Sequence, residues 1–386
     1  MKIAVIGAGI TGLTFAATLK KYQTNNEIDF DVYERDSSSK SRFQGYAIGL
    51  NQIYGLKVLK ELGLYDELAN DPASKHISNF IMQDNKERIL FSSKGKEQDL
   101  SLRVQRDEIK NILRKTINED SLHYDYHLVD IKKEKQGYTL FFNNKETKHA
   151  DFIVLCDGAN SKIRTKLTGN NNSNYTGLIG ISALSNLAYQ PDYLKGGYYM
   201  GLGNSGCSVF IYNQPNGIYY GFTLNVKQSS KFDGYSNEQL LALLNKKISG
   251  WSGMVPELIN NTNLSTVKLR KYYEGKPLEK IHYDDLIMIG DTAHYMTPFQ
   301  GLGGNLALID GYELAQAFCL KNKSNDNLKM ELQALETKIL KRGNDALALS
   351  SLRAKQFHRK NIFFSFARRY QFWKLRKSTS NSSTQA

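Results

Sequence analysis

Cysteine is scarce in this 386-residue chain: Cys156, Cys207 and Cys319 stand far apart. An odd, scattered set supports neither a disulfide framework nor a thiolate metal site, and a reducing cytoplasmic setting suits it best. His and Cys nowhere cluster at ligand spacing, so no metal is expected. No apolar run is long enough to cross a bilayer. The opening MKIAVIG has neither an apolar h-region nor a small-residue cleavage site, so no signal peptide is expected.

Acidic charge is also short in one place. The formal net charge is +13, yet between Lys341 and Lys377 the only acid is Asp345, set among eleven Lys and Arg. The rest of the chain is close to neutral. Overall basicity is therefore a poor argument for nucleic acid as a partner. In the same stretch Phe363, Phe366, Tyr370 and Trp373 recur at helical spacing with basic residues between them. Such a helix can lie on a membrane or pack against its own protein; the second is expected, with no stable membrane association.

What is present first is a short apolar run, Lys2 to Ile6, ending at Gly7-Ala-Gly9-Ile-Thr-Gly12. Leu13, Phe15, Ala16, Ala17 and Leu19 then predict a helix, and Asp31 to Tyr33 a second strand stopped by Glu34-Arg35. The spacing further predicts a helix over 54–68, two strands over 77–91, a helix over 108–117 and a hairpin from 128–132 and 138–142. Buried strands are predicted at 151–155 and 286–289, and a helix over 305–320. Residues 175–271 read as mostly β, and two helices are expected after Asn327. Internal repeats are absent.

Strand, glycine turn, helix and acid in that order make GxGxxG more than a pattern match. The first glycine permits the tight turn, the second lets backbone approach a pyrophosphate, and the third lets helix and strand pack closely. The phosphates would sit on free helix N–H groups, and the Glu34 carboxylate can accept ribose hydroxyls. A second match, Gly201-Leu-Gly203-Asn-Ser-Gly206, precedes a β-type run and a turn at Asn216-Gly217, so it is not read as a phosphate site.

Two more motifs follow strands: Cys156-Asp157-Gly158, continuing to Arg164, and Gly290-Asp291-Thr-Ala-His294, continuing through Pro298 to Gly301-Leu-Gly303-Gly304-Asn305. The second sets a carboxylate at a strand end and then a glycine-rich helix N-terminus that favours negative charge.

With these motifs in this order, the chain resembles the single-component (class A) flavoprotein monooxygenases of the para-hydroxybenzoate hydroxylase fold, over roughly residues 1–320. The resemblance implies an α/β fold: a Rossmann-type FAD-binding domain (1–72, 104–172 and 273–325) with an inserted β-rich substrate domain (73–103 and 173–272). C-terminal helices (326–377) and a disordered tail (378–386) complete it. FAD is the implied cofactor and NADPH the cosubstrate; a small molecule and O2 are the partners, and the protein is expected to be a monomer. Glu34 would bind the adenosine ribose, with Arg35 counted beside it among the cofactor-binding residues. Arg106 would meet the FAD linker, and Asp157 would lie near FAD and support NADPH use. Asp291 would hold the ribityl chain, and Pro298, Gly301, Gly303, Gly304 and Asn305 would lie at the flavin ring. Oxygen transfer would come from the flavin C4a-hydroperoxide, so no protein nucleophile or base is implied.

Within that family, Ser41-Arg42-Phe-Gln-Gly-Tyr46 resembles the flavin-side loop of the tetracycline-inactivating monooxygenases, which places Arg42 over the flavin. Gly304 departs from the pattern, since many members carry a bulkier residue there. Other readings stay open: Asp157 as a turn cap, His294 as a satisfied buried histidine, Arg164 as a helix-surface charge, Arg42 as an ordinary loop residue, Pro298 as a rigid turn. Halogenases of this fold carry WxWxIP; Trp251 and Trp373 are the only tryptophans here. The candidate substrate residues are Tyr198, Phe210, Tyr212, Tyr220 and Phe222. Strand side chains alternate, so half of them must face away from any ligand. The expected activity is oxidation of a polycyclic phenol or enol, with tetracyclines named first and a phenolic hydroxylase of catabolism or polyketide tailoring as the alternative.

Overall fold

The structure is a computed structural model that describes residues 1–23, 28–41, 45–94, 101–169, 173–188, 191–203, 206–227, 232–319 and 325–358. Arg42 and the aromatic residues from Phe363 to Trp373 lie outside the described residues. Two compact units form. The first takes residues 1–74, 101–174 and 274–351, the second 75–100, 175–273 and 352–386.

In the first unit the strands Lys2–Ile6, Asp29–Glu34, Leu122–Tyr124, Phe152–Leu155 and Leu286–Met288 run parallel, and His282–Tyr283 pairs antiparallel at one edge. The order places Lys2–Ile6 centrally, between Phe152–Leu155 and Asp29–Glu34, with Ile3 opposite Phe152 and Phe30. Such a sheet is covered on both faces at its centre, so its central strands are apolar rather than alternating; Phe152–Leu155 and Leu286–Met288 are buried at every position, whereas Asp29–Glu34 alternates toward the edge. The helix Ile10–Tyr22 packs on Gly303–Cys319 so closely that a Cβ on Gly311 would fall 2.5 Å from the Thr11 carbonyl oxygen. The predicted hairpin gains a third strand, Thr147–Ala150, whose polar sequence gave no strand signal.

The helix predicted over 54–68 is two, Gly55–Leu62 and Tyr65–Ala69, because Gly63 takes a left-handed conformation (φ 74°) and ends the first. Of the two helices expected after Asn327, the described residues hold Asn325–Phe357; the remainder of that stretch lies outside the described residues.

The second unit is built on the sheet order Lys268–Gly275, Ser173–Ser185, Gly217–Asn225, Cys207–Gln214, Gly197–Leu202, Asn79–Asp84, Ile89–Lys94. Two helices that the β-rich reading passed over, Asn237–Lys247 and Met254–Asn260, cover one face. Ser236 and Gln239 form a capping box at the first of them, a signal present in the sequence as Ser-x-x-Gln.

Candidate functional site

The first glycine turn is built by close approach. A Cβ on Gly7 (φ 111°) would lie 2.5 Å from the Cys156 carbonyl oxygen, and one on Gly12 2.1 Å from the Gly7 oxygen. Gly9, in contrast, has open space where its Cβ would be, and it begins the helix Ile10–Tyr22 without a side-chain cap. A helix start with free N–H groups and room beside it suits a pyrophosphate. Glu34 closes the turn: its Oε2 accepts from the Ala8 N–H (2.8 Å) and its Oε1 from the Asp36 N–H (3.0 Å). Each oxygen keeps a further lone pair for a ribose hydroxyl. Arg35 is half-exposed and reaches Asp36 at 3.8 Å. Arg106 is the first residue of the helix Arg106–Lys115 and is partly buried.

The two aspartate motifs hold each other. The Thr292 hydroxyl donates to Asp157 Oδ1 (3.1 Å) and accepts from the Gly158 N–H (2.8 Å). Burial pushes the Asp157 carboxyl above its ordinary range, against its hydroxyl partners. Arg164 is not a helix-surface charge: it is buried, and its guanidinium donates to the carbonyls of Thr292 (3.2 Å) and Ala159 (2.6 Å). The two terminal nitrogens of the buried guanidinium are met by backbone carbonyls in this way. Beside it, Asn160, Ser161, Lys162, Thr165 and Ser173 line a cavity of about 330 Å3.

Asp291 is exposed at the start of the short helix Asp291–His294, and a Cβ on Gly303 would lie 4.0 Å from its Oδ1. The carboxylate and the glycine-rich turn are thus neighbours. Pro298 opens the turn Pro298–Gln300, and Gly301 ends it at φ 63°. Gly304 has a steric reason: a Cβ there would meet Ile48 Cδ1 at 2.6 Å. Asn305 is 1% exposed, and all four hydrogen bonds of its amide go to backbone groups, so its side chain is turned away from any ligand.

His294 is buried against Asp310, Nε2 to Oδ2 at 2.5 Å. Asp310 also accepts from the Gly290 N–H (3.0 Å) and from Arg342 (2.6 Å), and Arg342 reaches Glu313 at 3.0 Å. Burial pulls the imidazole pKa down most, but the charge and hydrogen bond of Asp310 together with the Asp291 charge outweigh it, and the net shift is upward. Gly343 sits mid-helix because a Cβ would run 2.7 Å from the His294 ring. Sequence reasoning missed Thr292, Asp310 and Arg342; an unexplained glycine inside a long helix was the available signal.

In the second unit the alternation resolves itself. Tyr220 and Phe222 point into the apolar core with Val209 and Ile211, under the two helices. They are therefore core residues, not a ligand surface. Tyr198, Phe210 and Tyr212 lie on the other face and form one aromatic platform. Ring centroids stand 4.9 Å apart for Tyr198–Phe210 and 5.8 Å for Phe210–Tyr212, and Tyr219 continues it at 4.6 Å from Tyr212. At its polar end the Thr223 hydroxyl bonds His358 Nε2 (2.6 Å) and Ser208 (2.7 Å), while His358 Nδ1 bonds the Ala354 carbonyl. Nδ1 must donate there; in the neutral ring Nε2 then accepts from Thr223, whose oxygen accepts from Ser208. The second GxGxxG match has another cause: Cβ atoms on Gly201 and Gly203 would fall 2.9 and 2.7 Å from the Trp251 ring.

The FAD binding domain family matches residues 1–328. A monooxygenase, cfoF, from Aspergillus candidus is 27% identical over 84% of this chain and 84% of its own length. Zeaxanthin epoxidase of Solanum lycopersicum is 24% identical over 93% of this chain, which spans 52% of that protein. Among solved structures, Klebsiella pneumoniae HpxO complexed with FAD and uric acid superposes with TM-score 0.81 at 21% identity, over 96% of this chain and 92% of that one. Tetracycline destructase Tet(55) superposes with TM-score 0.68 at 21% identity, over 93% and 90%. At such identities the structures speak for the fold alone. The chain belongs to the FAD binding domain family, and it is an FAD-dependent monooxygenase.

Proposed function

We propose that the protein is an NADPH- and O2-dependent monooxygenase that places one oxygen atom on an electron-rich carbon of a polycyclic phenol or enol, with tetracyclines the first substrates to test. NADPH supplies two electrons, one atom of O2 enters the product and the other leaves as water. The observation that carries the substrate class is the pair of partly exposed rings Tyr198 and Phe210, backed by the buried Tyr212, on the face opposite the one that packs the core. Flat rings stack on such a surface, and aromatic walls with few polar groups suit a planar ligand.

When bound, FAD supplies the oxygen-activating chemistry. The chain's own part is placement. The first glycine turn and the start of Ile10–Tyr22 would hold the pyrophosphate, Glu34 the adenosine ribose and Asp291 the ribityl chain. The N–H groups at the start of Gly303–Cys319 would meet negative charge at the ring. Arg42 supports the tetracycline reading through sequence resemblance only.

The test uses purified protein reconstituted with FAD. NADPH oxidation, oxygen uptake, the tetracycline absorbance band and product mass are followed together, beside a panel of phenols. NADPH-dependent loss of the band with a product one oxygen heavier supports tetracyclines. Turnover of phenols alone would assign the phenolic hydroxylase instead.

A further inference from the structure

We infer that Asn305 is a positioning residue: its carboxamide sets the spacing between the strand Ile48–Leu50 and the glycine turn at 301–304, and so shapes the ring end of the cofactor site. The inference rests on the FAD reading above. A carboxamide has two donors and two acceptor lone pairs. Here Nδ2 donates to the carbonyls of Gly49 (2.9 Å) and Gly301 (2.9 Å), and Oδ1 accepts from the N–H groups of Asn51 (2.9 Å) and Gly55 (3.3 Å). Gly301 lies four residues before Asn305, whereas Gly49, Asn51 and Gly55 are about 250 residues away in sequence. One buried side chain thus ties both segments, and nothing on it remains for a ligand.

The surrounding residues are fitted to the clamp. A Cβ on Gly55 would lie 2.7 Å from Asn305 Oδ1, so the first residue of Gly55–Leu62 has to be glycine. Ile48 fills the space a side chain at 304 would take. Asn51 is held in turn, since its Oδ1 accepts from the Tyr54 N–H at 2.9 Å. No other side chain of similar size could make this set. Aspartate keeps the acceptor but turns its second oxygen, which donates nothing when ionised, toward the two carbonyls, and leucine leaves all four backbone groups without their side-chain partner.

The experiment is a double-mutant cycle on FAD binding to the apoprotein, using Asn305→Ala and Gly55→Ala. Affinity is read by flavin fluorescence quenching, and the visible absorption of the bound flavin is recorded beside Tm. Each single change is expected to weaken FAD by about 10-fold, because either one releases the turn from the spacing the carboxamide sets, with the same displacement of the flavin absorption band. The double variant should be no weaker than the weaker single. Additive losses, or lower Tm with an unmoved flavin spectrum, would overturn the clamp while leaving FAD binding intact. Asn305→Asp supplies a second route should Gly55→Ala fail to fold. Burial and two facing carbonyls should raise that carboxyl's pKa, and protonation restores one donor. Its FAD affinity should therefore rise as pH falls from 8 to about 6 while the parent stays flat; equal pH dependence in both would overturn the clamp. A parent protein that takes up no FAD would overturn the cofactor reading, and the clamp with it.

Discussion

The two sheets of this protein use their residues in different ways. In the parallel sheet of the first unit, both faces are covered, and the sites grow from loops at strand ends, where backbone meets backbone. Gly7 and Gly12 are fixed there by backbone oxygens within about 2.5 Å of a would-be Cβ, and Gly290 by the Thr11 hydroxyl at 2.3 Å. In the second unit the sheet has two unlike faces, one an apolar core under helices, the other an aromatic platform with a polar end. Backbone constraints leave a mark at fixed sequence spacing. Face assignment leaves only an alternation, whose phase the sequence does not declare.

The sharpest way to break the comparison is to treat matching glycines alike. Gly12→Ala puts a methyl into the backbone oxygen of Gly7, which no rotamer change can relieve. The expected outcome is loss of FAD by more than ~100-fold, or protein that does not fold, since close helix–strand approach is lost; the flavin-to-protein absorbance ratio checks it. Gly203→Ala meets only the Trp251 side chain at less than 3 Å. It should cost about 1–3 kcal/mol of stability by overpacking and leave FAD affinity unchanged. Comparable FAD loss in both would show that the second match also serves the cofactor.

The next largest effect concerns charge buried behind the Gly290–Asp291 turn. Asp310→Ala leaves His294 and Arg342 without their shared carboxylate, and breaking such a buried pair costs about 3–5 kcal/mol in a thermal melt. The pH dependence has a definite sign. His294 has its folded pKa raised above 6.5, so its contribution is full below that value and is lost as pH rises through the folded pKa. Asp310 is drawn below 3.8 by His294 and Arg342, against the upward pull of burial, so its contribution is full above 3.8 and is lost as pH falls through the folded pKa. Asp310→Asn should remove the alkaline decline that His294 contributes. If the Tm of the Asp310→Asn protein still falls with the parent's slope above neutral pH, the pairing is refuted.

Much of this was legible beforehand. Strand, turn, helix and acid around Gly7 to Glu34 followed from spacing alone, and the structure builds them where they were read. The role of Asn305 was not legible, because its partners lie about 250 residues away. Whether Arg164 was a surface charge stayed open, because helix periodicity says nothing of the carbonyls that turn toward it. Two helices in the β-rich stretch were hidden among strands, although Ser236 and Gln239 announced one of them.

Face assignment yields the third test. Tyr220→Ala empties a core position that is 0% exposed and should cost about 3 kcal/mol, as large aromatic truncations do, with the substrate KM unchanged at a temperature where the variant is folded. Phe210→Ala removes a platform ring that is only partly buried. It should leave stability within about 1 kcal/mol of the parent while raising KM for any accepted phenol or enol. Exchange of these two phenotypes would reverse the assignment of the faces.

The smallest effect lies at the start of Asn237–Lys247, which covers the core face alone. Ser236 accepts the Gln239 N–H at 3.3 Å, and the Gln239 side chain returns to the Ser236 N–H at 2.8 Å. Ser236→Ala deletes the first bond and weakens the second, which should cost about 1 kcal/mol. Leu240 and Leu244, buried one turn apart on that helix, keep it on the sheet, so the loss is of stability rather than of structure. If the two faces are independent, FAD content and substrate KM stay at parental values while the urea midpoint falls. A change in KM without a change in midpoint would mean that the helix-covered face reports to the ligand face, and the division drawn between them would have to be given up.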